Sequence, residues 1–282
     1  MSNLLSGLAK FGLGNLENEK LFEEDKKVVG NSTEEKATKE TVEEDLLFDK
    51  SYRCPVCEME FKSKTVRTGK PKLLGTDYDL RAKYQGIDPL KYDIVSCPKC
   101  GYTTVTRFFN TITSPQASLI KEKISKNFKA TVNNDATISY EAALESHKLA
   151  LVNAIVKKCR SSEKAYICLK IGWLIRGQRE ALDSSTPDYA EVVAKSEAEE
   201  LEFIKNAYEG FSAAVSKEEF PMCGMDESTM DYLLASLACK CKQYEMASRL
   251  VSNVITSRVA KNNLKDKARE LKDVILKERK ED

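Results

Sequence analysis

The chain has 282 residues, with 45 Lys and Arg against 44 Asp and Glu, nine cysteines and a single histidine. That length holds one large domain or two modest ones, and 32% charged beside 41% apolar residues suits a helix-rich chain in water, not in a bilayer. Near-neutral charge excludes a uniformly basic nucleic-acid binder, one histidine excludes sites built on paired histidines, and an odd cysteine count excludes a complete set of internal disulfides.

The first residues, MSNLLSGLAKFGLGNL, lack the pattern of an export signal, because Lys10, Gly7, Gly12 and Gly14 break the apolar stretch. Leu4, Leu5, Leu8, Phe11 and Leu16 fall into a short apolar stripe, read as a free tail or a small docking segment; the basic face of a membrane-surface anchor is missing. No segment approaches 18 consecutive apolar residues, so no transmembrane segment is expected. Many thiols without an export signal point to a reducing cytoplasm. Residues 1–50 carry a net charge of −5. The Glu/Lys/Thr-rich run from Glu17 to Asp45 has too few large apolar residues to offset its ordering entropy, so residues 1–47 are expected to be an acidic tail, largely disordered or loosely helical.

Residues 51–110 carry a net charge of +5. Here β-branched and aromatic residues alternate with polar ones in EFKSKTVRTG, KYDIVS and YTTVTRFFNTIT, which predicts strands over a small module, residues 48–113. Within it lie Cys54-Pro-Val-Cys57 and Cys97-Pro-Lys-Cys100-Gly101-Tyr102. In a C-P-x-C turn the two sulfurs converge and backbone N–H groups point at the first. A glycine after the second cysteine permits the positive φ of such a knuckle. Two knuckles supply four thiolates for one tetrahedral zinc ion per chain, bound by Cys54, Cys57, Cys97 and Cys100 in a zinc-ribbon arrangement. Four sulfurs close the coordination sphere, so the ion is read as a folding staple and not as a catalytic centre. The 39 residues between the knuckles imply an insertion. It carries Asp77, Asp79, Arg81, Lys83, Tyr84, Asp88, Tyr92 and Asp93. These residues are expected either to pair charges and cap turns, or to form a polar recognition surface from Asp77, Asp79, Arg81, Lys83, Tyr84 and Tyr92.

After Ser114-Pro115 the texture becomes helical, and six or more helices are expected over residues 114–282. Tyr140, Ala143, Leu144, His147, Ala150, Leu151, Ala154 and Ile155 recur on one face, which makes His147 a core residue. Ala207-x3-Phe211-x2-Ala214, with Ile171-Gly172-x2-Ile175 before it, and Ala247-x3-Val251-x2-Val254, after Leu234-Ala235-x2-Ala238, match fragments of the tetratricopeptide pattern. Cys159 and Cys168 read as ordinary helix residues, Cys239 and Cys241 face different directions, and Cys223 in PMCGMD reads as an exposed loop thiol. The fold class is thus α+β, mostly α: a small β-rich zinc-ribbon-like module followed by a tetratricopeptide-like helical repeat stack.

Together, CPVC, DYDLRAKYQGIDPLKYDIVSCPKCGY and the helical hairpins resemble a bacterial family known as a domain of unknown function, largely from Gram-positive lineages. The resemblance spans residues 48–260 and is most specific from Cys54 to Phe109. It implies a zinc-ribbon-like module, with the metal role on the four cysteines, and a tetratricopeptide-like C-terminal half. It implies no reaction.

Three functions are weighed. A non-enzymatic cytoplasmic adaptor, binding a protein or peptide partner on its helical surface, ranks first, since the chain offers no phosphate loop, nucleophile elbow or HExxH helix. A nucleic-acid binder acting through residues 51–110 ranks second, with Arg53, Lys62, Lys64, Arg67, Lys70, Lys72, Arg81 and Lys83 on phosphates and Tyr84 or Phe61 stacking on bases. An enzyme of unrecognised type, built on Asp77, Asp79 and Arg81, ranks third.

Overall fold

The computed structural model describes residues 42–129 and 135–281. The apolar N-terminal stripe and the acidic run as far as residue 41 lie outside them. The short 3-10 turn Glu43–Leu46 falls inside the stretch expected to be a tail. It holds there because Leu46 and Leu47 are buried against Ile87 and Tyr92, while Glu43 pairs with Lys91 at 2.7 Å.

Three antiparallel two-stranded ribbons follow, β1 (Leu47–Arg53) with β2 (Glu60–Val66), β3 (Leu73–Thr76) with β4 (Ala82–Tyr84), and β5 (Ile94–Ser96) with β6 (Thr103–Val105). The first knuckle is the β1–β2 turn and the second is the β5–β6 turn; the β3–β4 ribbon belongs to the insertion. In β1 and β2, Tyr52 pairs with Phe61, so both rings fall on one face of the ribbon. The strand expected over YTTVTRFFNTIT is shorter than its composition suggests. It ends at Val105, because both the amide and the hydroxyl of Thr106 donate to Asp93 O and turn the chain into a 3-10 turn, Thr106–Phe108.

The rest is helical: α1 (Ser114–Ile120) running into a π-helical turn, Lys121–Ser125, then α2 (Tyr140–Val156), α3 (Ser161–Glu180), α4 (Tyr189–Val215), α5 (Glu227–Lys240), α6 (Tyr244–Thr256) and α7 (Asn262–Glu281). Side-chain caps start several of them: Ser139 accepts from the Ala142 amide at α2, and Asp226 from the Thr229 amide at α5. Successive helices pack as a stack. Ala207, Phe211 and Ala214 on α4, and Ala247, Val251 and Val254 on α6, are all fully buried in the main core with Leu234, Ala235 and Ala238 of α5. Gly172 is a close-approach position between α3 and α4, where an added Cβ would stand 3.1 Å from Ile204 Cδ1. No described helix is long and apolar enough to cross a membrane.

The face of α2 differs in one respect from its sequence pattern. Ala143, His147, Ala150 and Ala154 are buried, but Ile155 is 58% exposed and Asn153 is buried instead. At roughly 100° per residue, Ile155 lies well round the helix from Ala154. Asn153 is drawn in by polar groups of the second knuckle. The ribbon and the stack also share apolar packing, with Ile94 of β5 and Val105 of β6 in one cluster with Ala150, Ala154, Ile167 and Ile171.

Candidate metal centre

The two knuckles are built alike. In each, the first cysteine's amide donates five residues ahead, Cys54 N to Met59 O and Cys97 N to Tyr102 O, both at 2.9 Å. Its carbonyl accepts from the residue after the second cysteine, Glu58 or Gly101. That residue has positive φ, +62° at Glu58 and +72° at Gly101. Glycine makes this free at position 101; Glu58 adopts it at a cost of about 1–2 kcal/mol.

The four sulfurs of Cys54, Cys57, Cys97 and Cys100 all lie within 4.8 Å of one another, an arrangement that can hold a metal ion. Contacts across the two knuckles are 3.6 Å for Cys54–Cys100 and 3.5 Å for Cys57–Cys97. Amides of Val56 and Cys57 serve Cys54 Sγ, those of Lys99 and Cys100 serve Cys97, and that of Tyr102 serves Cys100. The contact from Cys100 pulls the Cys54 thiol down to about 5 against the opposing effect of burial, with the turn amides assisting. The same contact, and then burial, pushes Cys100 up. Burial first also raises Cys97, to about 11. Packed this closely, four thiolates repel one another, and a cation among them is what lets all four ionise together.

Tyr52, Phe61, Tyr102 and Phe109 wall the centre, with Tyr102 OH donating to Phe109 O at 3.1 Å. The helical part grips the second knuckle from outside. Asn153 of α2 accepts from Thr103 N and donates to Gly101 O, and Ser125 Oγ donates to Cys100 O at 2.8 Å. Phe128 covers Gly101 so closely that a Cβ there would lie 2.5 Å from its ring.

The polar residues of the insertion form an ion network against the helices. Arg176 of α3 makes a two-pronged contact with Asp79 and also meets Asp77 and Glu200 of α4. Arg81 donates to Asp77 at 2.8 Å, to Trp173 O at 3.2 Å and to Glu180, while Lys83 joins Asp77 and Glu180 at 3.1 and 3.0 Å. Asp79 and Arg81 are only 1% and 3% exposed, and Tyr92 is buried with its hydroxyl on Glu43. These three therefore turn their polar atoms to partners within the fold. Lys83 and Tyr84 stay half-exposed, Tyr84 leaning on the Leu46–Leu47 cluster. Burial works to raise Asp77, but Arg81, Arg176 and Lys83 outweigh it and hold the carboxyl below its usual range. Asp88 accepts from the Leu90 amide and from Tyr140 OH, and Asp93 pairs with buried Lys170.

A family model described as an uncharacterized protein conserved in bacteria (DUF2225) matches residues 47–275. The chain belongs to that family. An uncharacterized protein of Borreliella burgdorferi is 30% identical over 78 residues, which are 25% of this chain and 28% of that relative. The matched stretch thus spans about a quarter of each, far short of the relative's full length. No solved structure matches the chain. Family membership brings no reaction with it, so chemistry rests on the side chains.

Several of those lay beyond sequence reasoning. Arg176, Arg179 and Glu200 sit inside helices, and only the charge of Arg176 within the apolar run IGWLIRG hints at a buried partner. Asn153 and Ser125 gave no signal. Cys223, expected exposed, is half-buried with its thiol on Ser162 O at 3.4 Å, and burial pushes it up to about 11. His147 is fully buried as expected, Nδ1 on Ala143 O at 2.8 Å and Nε2 without a partner among the described residues.

Proposed function

We propose that the chain is a non-enzymatic cytoplasmic adaptor, a zinc-stapled ribbon carried on tetratricopeptide-like hairpins that bind a segment of another protein. The observation that carries this reading is the closed four-sulfur centre. A zinc ion at about 2.3 Å from each sulfur sets tetrahedral sulfur–sulfur distances near 3.8 Å, close to the contacts across the knuckles, and leaves no position for water or substrate. Cys54, Cys57, Cys97 and Cys100 would hold the ion, which supplies cross-linking and charge neutralisation. The binding groove is the cleft of about 540 Å³ between the β3–β4 turn and helices α3, α5 and α7, where Tyr78, Arg179, Tyr232, Lys240, Lys267 and Glu270 line the wall. The insertion narrows that face, since its two aspartates already occupy Arg176.

Elemental analysis should find one zinc per purified chain. A photo-crosslinking residue at Tyr78 in the native cytoplasm should give one discrete protein adduct, while the same residue at exposed Val259 gives none. Absence of an adduct at residue 78 overturns the adaptor reading.

Polyanion binding is the second reading, favoured by the exposed run Arg67, Lys70 and Lys72, which contains no acid. Four of the other ribbon cations are already committed, Arg53 to Glu58, Lys64 to Asp49, and Arg81 and Lys83 to the network. Phe61 is stacked on Tyr52 in the wall of the centre. Oligonucleotide binding at low salt that falls steeply as salt rises would favour this reading; no binding at low salt removes it.

A further inference from the structure

We propose that the four-cysteine centre is a peroxide-responsive switch in which Cys57 is oxidised first and is captured by Cys97, releasing the metal. The inference rests on the zinc reading above and adds a regulation to the same site. Two observations carry it. Cys57 is the half-buried member of the four, whereas Cys54 and Cys97 are fully buried and Cys100 nearly so. An oxidant arriving from solvent therefore meets Cys57 Sγ first. The sulfur that answers it lies on the opposite knuckle, Cys97 Sγ at 3.5 Å, and the remaining pair, Cys54 and Cys100, lies deeper at 3.6 Å.

The chemistry balances with hydrogen peroxide as the oxidant. The Cys57 thiolate attacks one peroxide oxygen. An S–O bond forms, the O–O bond breaks and hydroxide leaves, giving a sulfenic acid. The Cys97 thiolate then attacks the Cys57 sulfur, forming S–S and breaking S–O, with a second hydroxide leaving. Two thiolates lose two electrons and one peroxide gains them. Cys54 and Cys100 alone would then remain to hold the ion, too few to retain it.

The pairing matters for the fold. A Cys57–Cys97 bond ties the β1–β2 turn to the β5–β6 turn, as the metal does, so the two knuckles stay together. A disulfide inside either knuckle would instead free one hairpin from the other. The switched state thus keeps the ribbon joined while changing the second knuckle, the part that α2 grips through Asn153.

The test uses the full-length chain loaded with zinc, confirmed by elemental analysis, and hydrogen peroxide as the probe. A chromogenic zinc chelator should report release of one zinc per chain, and peptide mapping should find Cys57 joined to Cys97. Thiol reductant with added zinc should restore the starting state. Because Cys57→Ser could unfold the ribbon, the informative variant is Cys97→His, which keeps a fourth ligand and removes the capturing thiol. With the variant still carrying zinc, a sulfenic-acid trap should accumulate on Cys57 at least tenfold above the unsubstituted chain. A Cys54–Cys57 or Cys97–Cys100 disulfide, or zinc retained under peroxide, overturns the switch and leaves the zinc reading standing. A purified chain without zinc overturns both.

Discussion

Arg176 and Asp79 face each other in a buried two-pronged ion pair, Nη1 to Oδ1 at 3.0 Å and Nη2 to Oδ2 at 2.6 Å, between helix α3 and the β3–β4 turn. This pair fixes the insertion against the helices, and Glu200 completes the shell on the other side of the guanidinium. Removing Arg176 leaves Asp79 buried with no other ion-pair partner among the described residues, which costs about 3–5 kcal/mol. Arg176→Met is expected to lower stability in urea by that amount, and Asp79→Leu by less, since Arg176 keeps Asp77 and Glu200. The double variant Asp79→Leu with Arg176→Met should recover part of the loss, because neither side then buries a lone charge. A double-mutant cycle checks it; additive losses would show that the two side chains act independently.

Metal removal should reach further than the ribbon. The aromatic wall of Tyr52, Phe61, Tyr102 and Phe109 stands on the centre, and Asn153 ties the second knuckle to α2. Stripping the proposed zinc with a strong chelator, or replacing Cys54 or Cys97 by Ser, is therefore expected to abolish the near-ultraviolet dichroism of those rings. It should also raise hydrogen exchange in β5, β6 and the C-terminal half of α2, with α5 to α7 protected. Unchanged exchange in α2 would mean that the Asn153 contacts do not couple the two parts.

The architecture and the cysteine set were legible because both rest on local rules. A C-P-x-C turn declares its geometry within four residues, and helical faces declare themselves by spacing: Ala207, Phe211 and Ala214 are buried as their pattern requires. The β3–β4 insertion was not legible in the same way. Its charges read either as paired caps or as a recognition surface, because the partners that bear on the choice, Arg176 and Glu180, lie about a hundred residues away on α3. Ile155 and Asn153 exchanged roles for a related reason. Periodicity ranks residues by hydrophobicity, whereas the α2 interface is partly polar where it meets Gly101 and Thr103.

Gly101 tests the second knuckle directly. Its φ of +72° is left-handed, and an added Cβ would lie 2.5 Å from the Phe128 ring. Gly101→Ala therefore meets backbone strain of about 1–2 kcal/mol and an overlap costing about 1–3 kcal/mol. A loss of about 2–5 kcal/mol in folding stability is expected, with faster transfer of the proposed zinc to a chelator. Adding Phe128→Ala should relieve the overlap but not the strain, so that against the Phe128→Ala background the glycine substitution costs only about 1–2 kcal/mol.

His147 sets a pH window of its own. Burial dominates in lowering it to about 4 from its ordinary 6.5, Lys170 adds to the effect, and the Ala143 carbonyl and Asp93 oppose it. The native state therefore stays neutral at a pH where the unfolded chain already binds a proton. Between pH 6.5 and 4 the unfolded state holds more protons, so stability rises with pH there. The contribution is complete above 6.5, is lost as the pH falls toward 4, and amounts to roughly 3 kcal/mol across the window. Asp77, Glu180 and Glu200 act lower down. Each is held below its usual range, against the opposing effect of burial, by cations led respectively by Arg81, Arg81 and Arg176. Their stabilisation is therefore present above the ordinary carboxylate range and fades only as the pH falls below it. Urea unfolding between pH 7.5 and 4.5, with His147→Leu beside the unsubstituted chain at the same metal loading, separates the two effects, since the Cys54 thiol, which also titrates in this interval, is common to both chains. His147→Leu should flatten the slope in that interval and leave the steeper fall below pH 4 in place. A slope unchanged by the substitution would place the titration elsewhere.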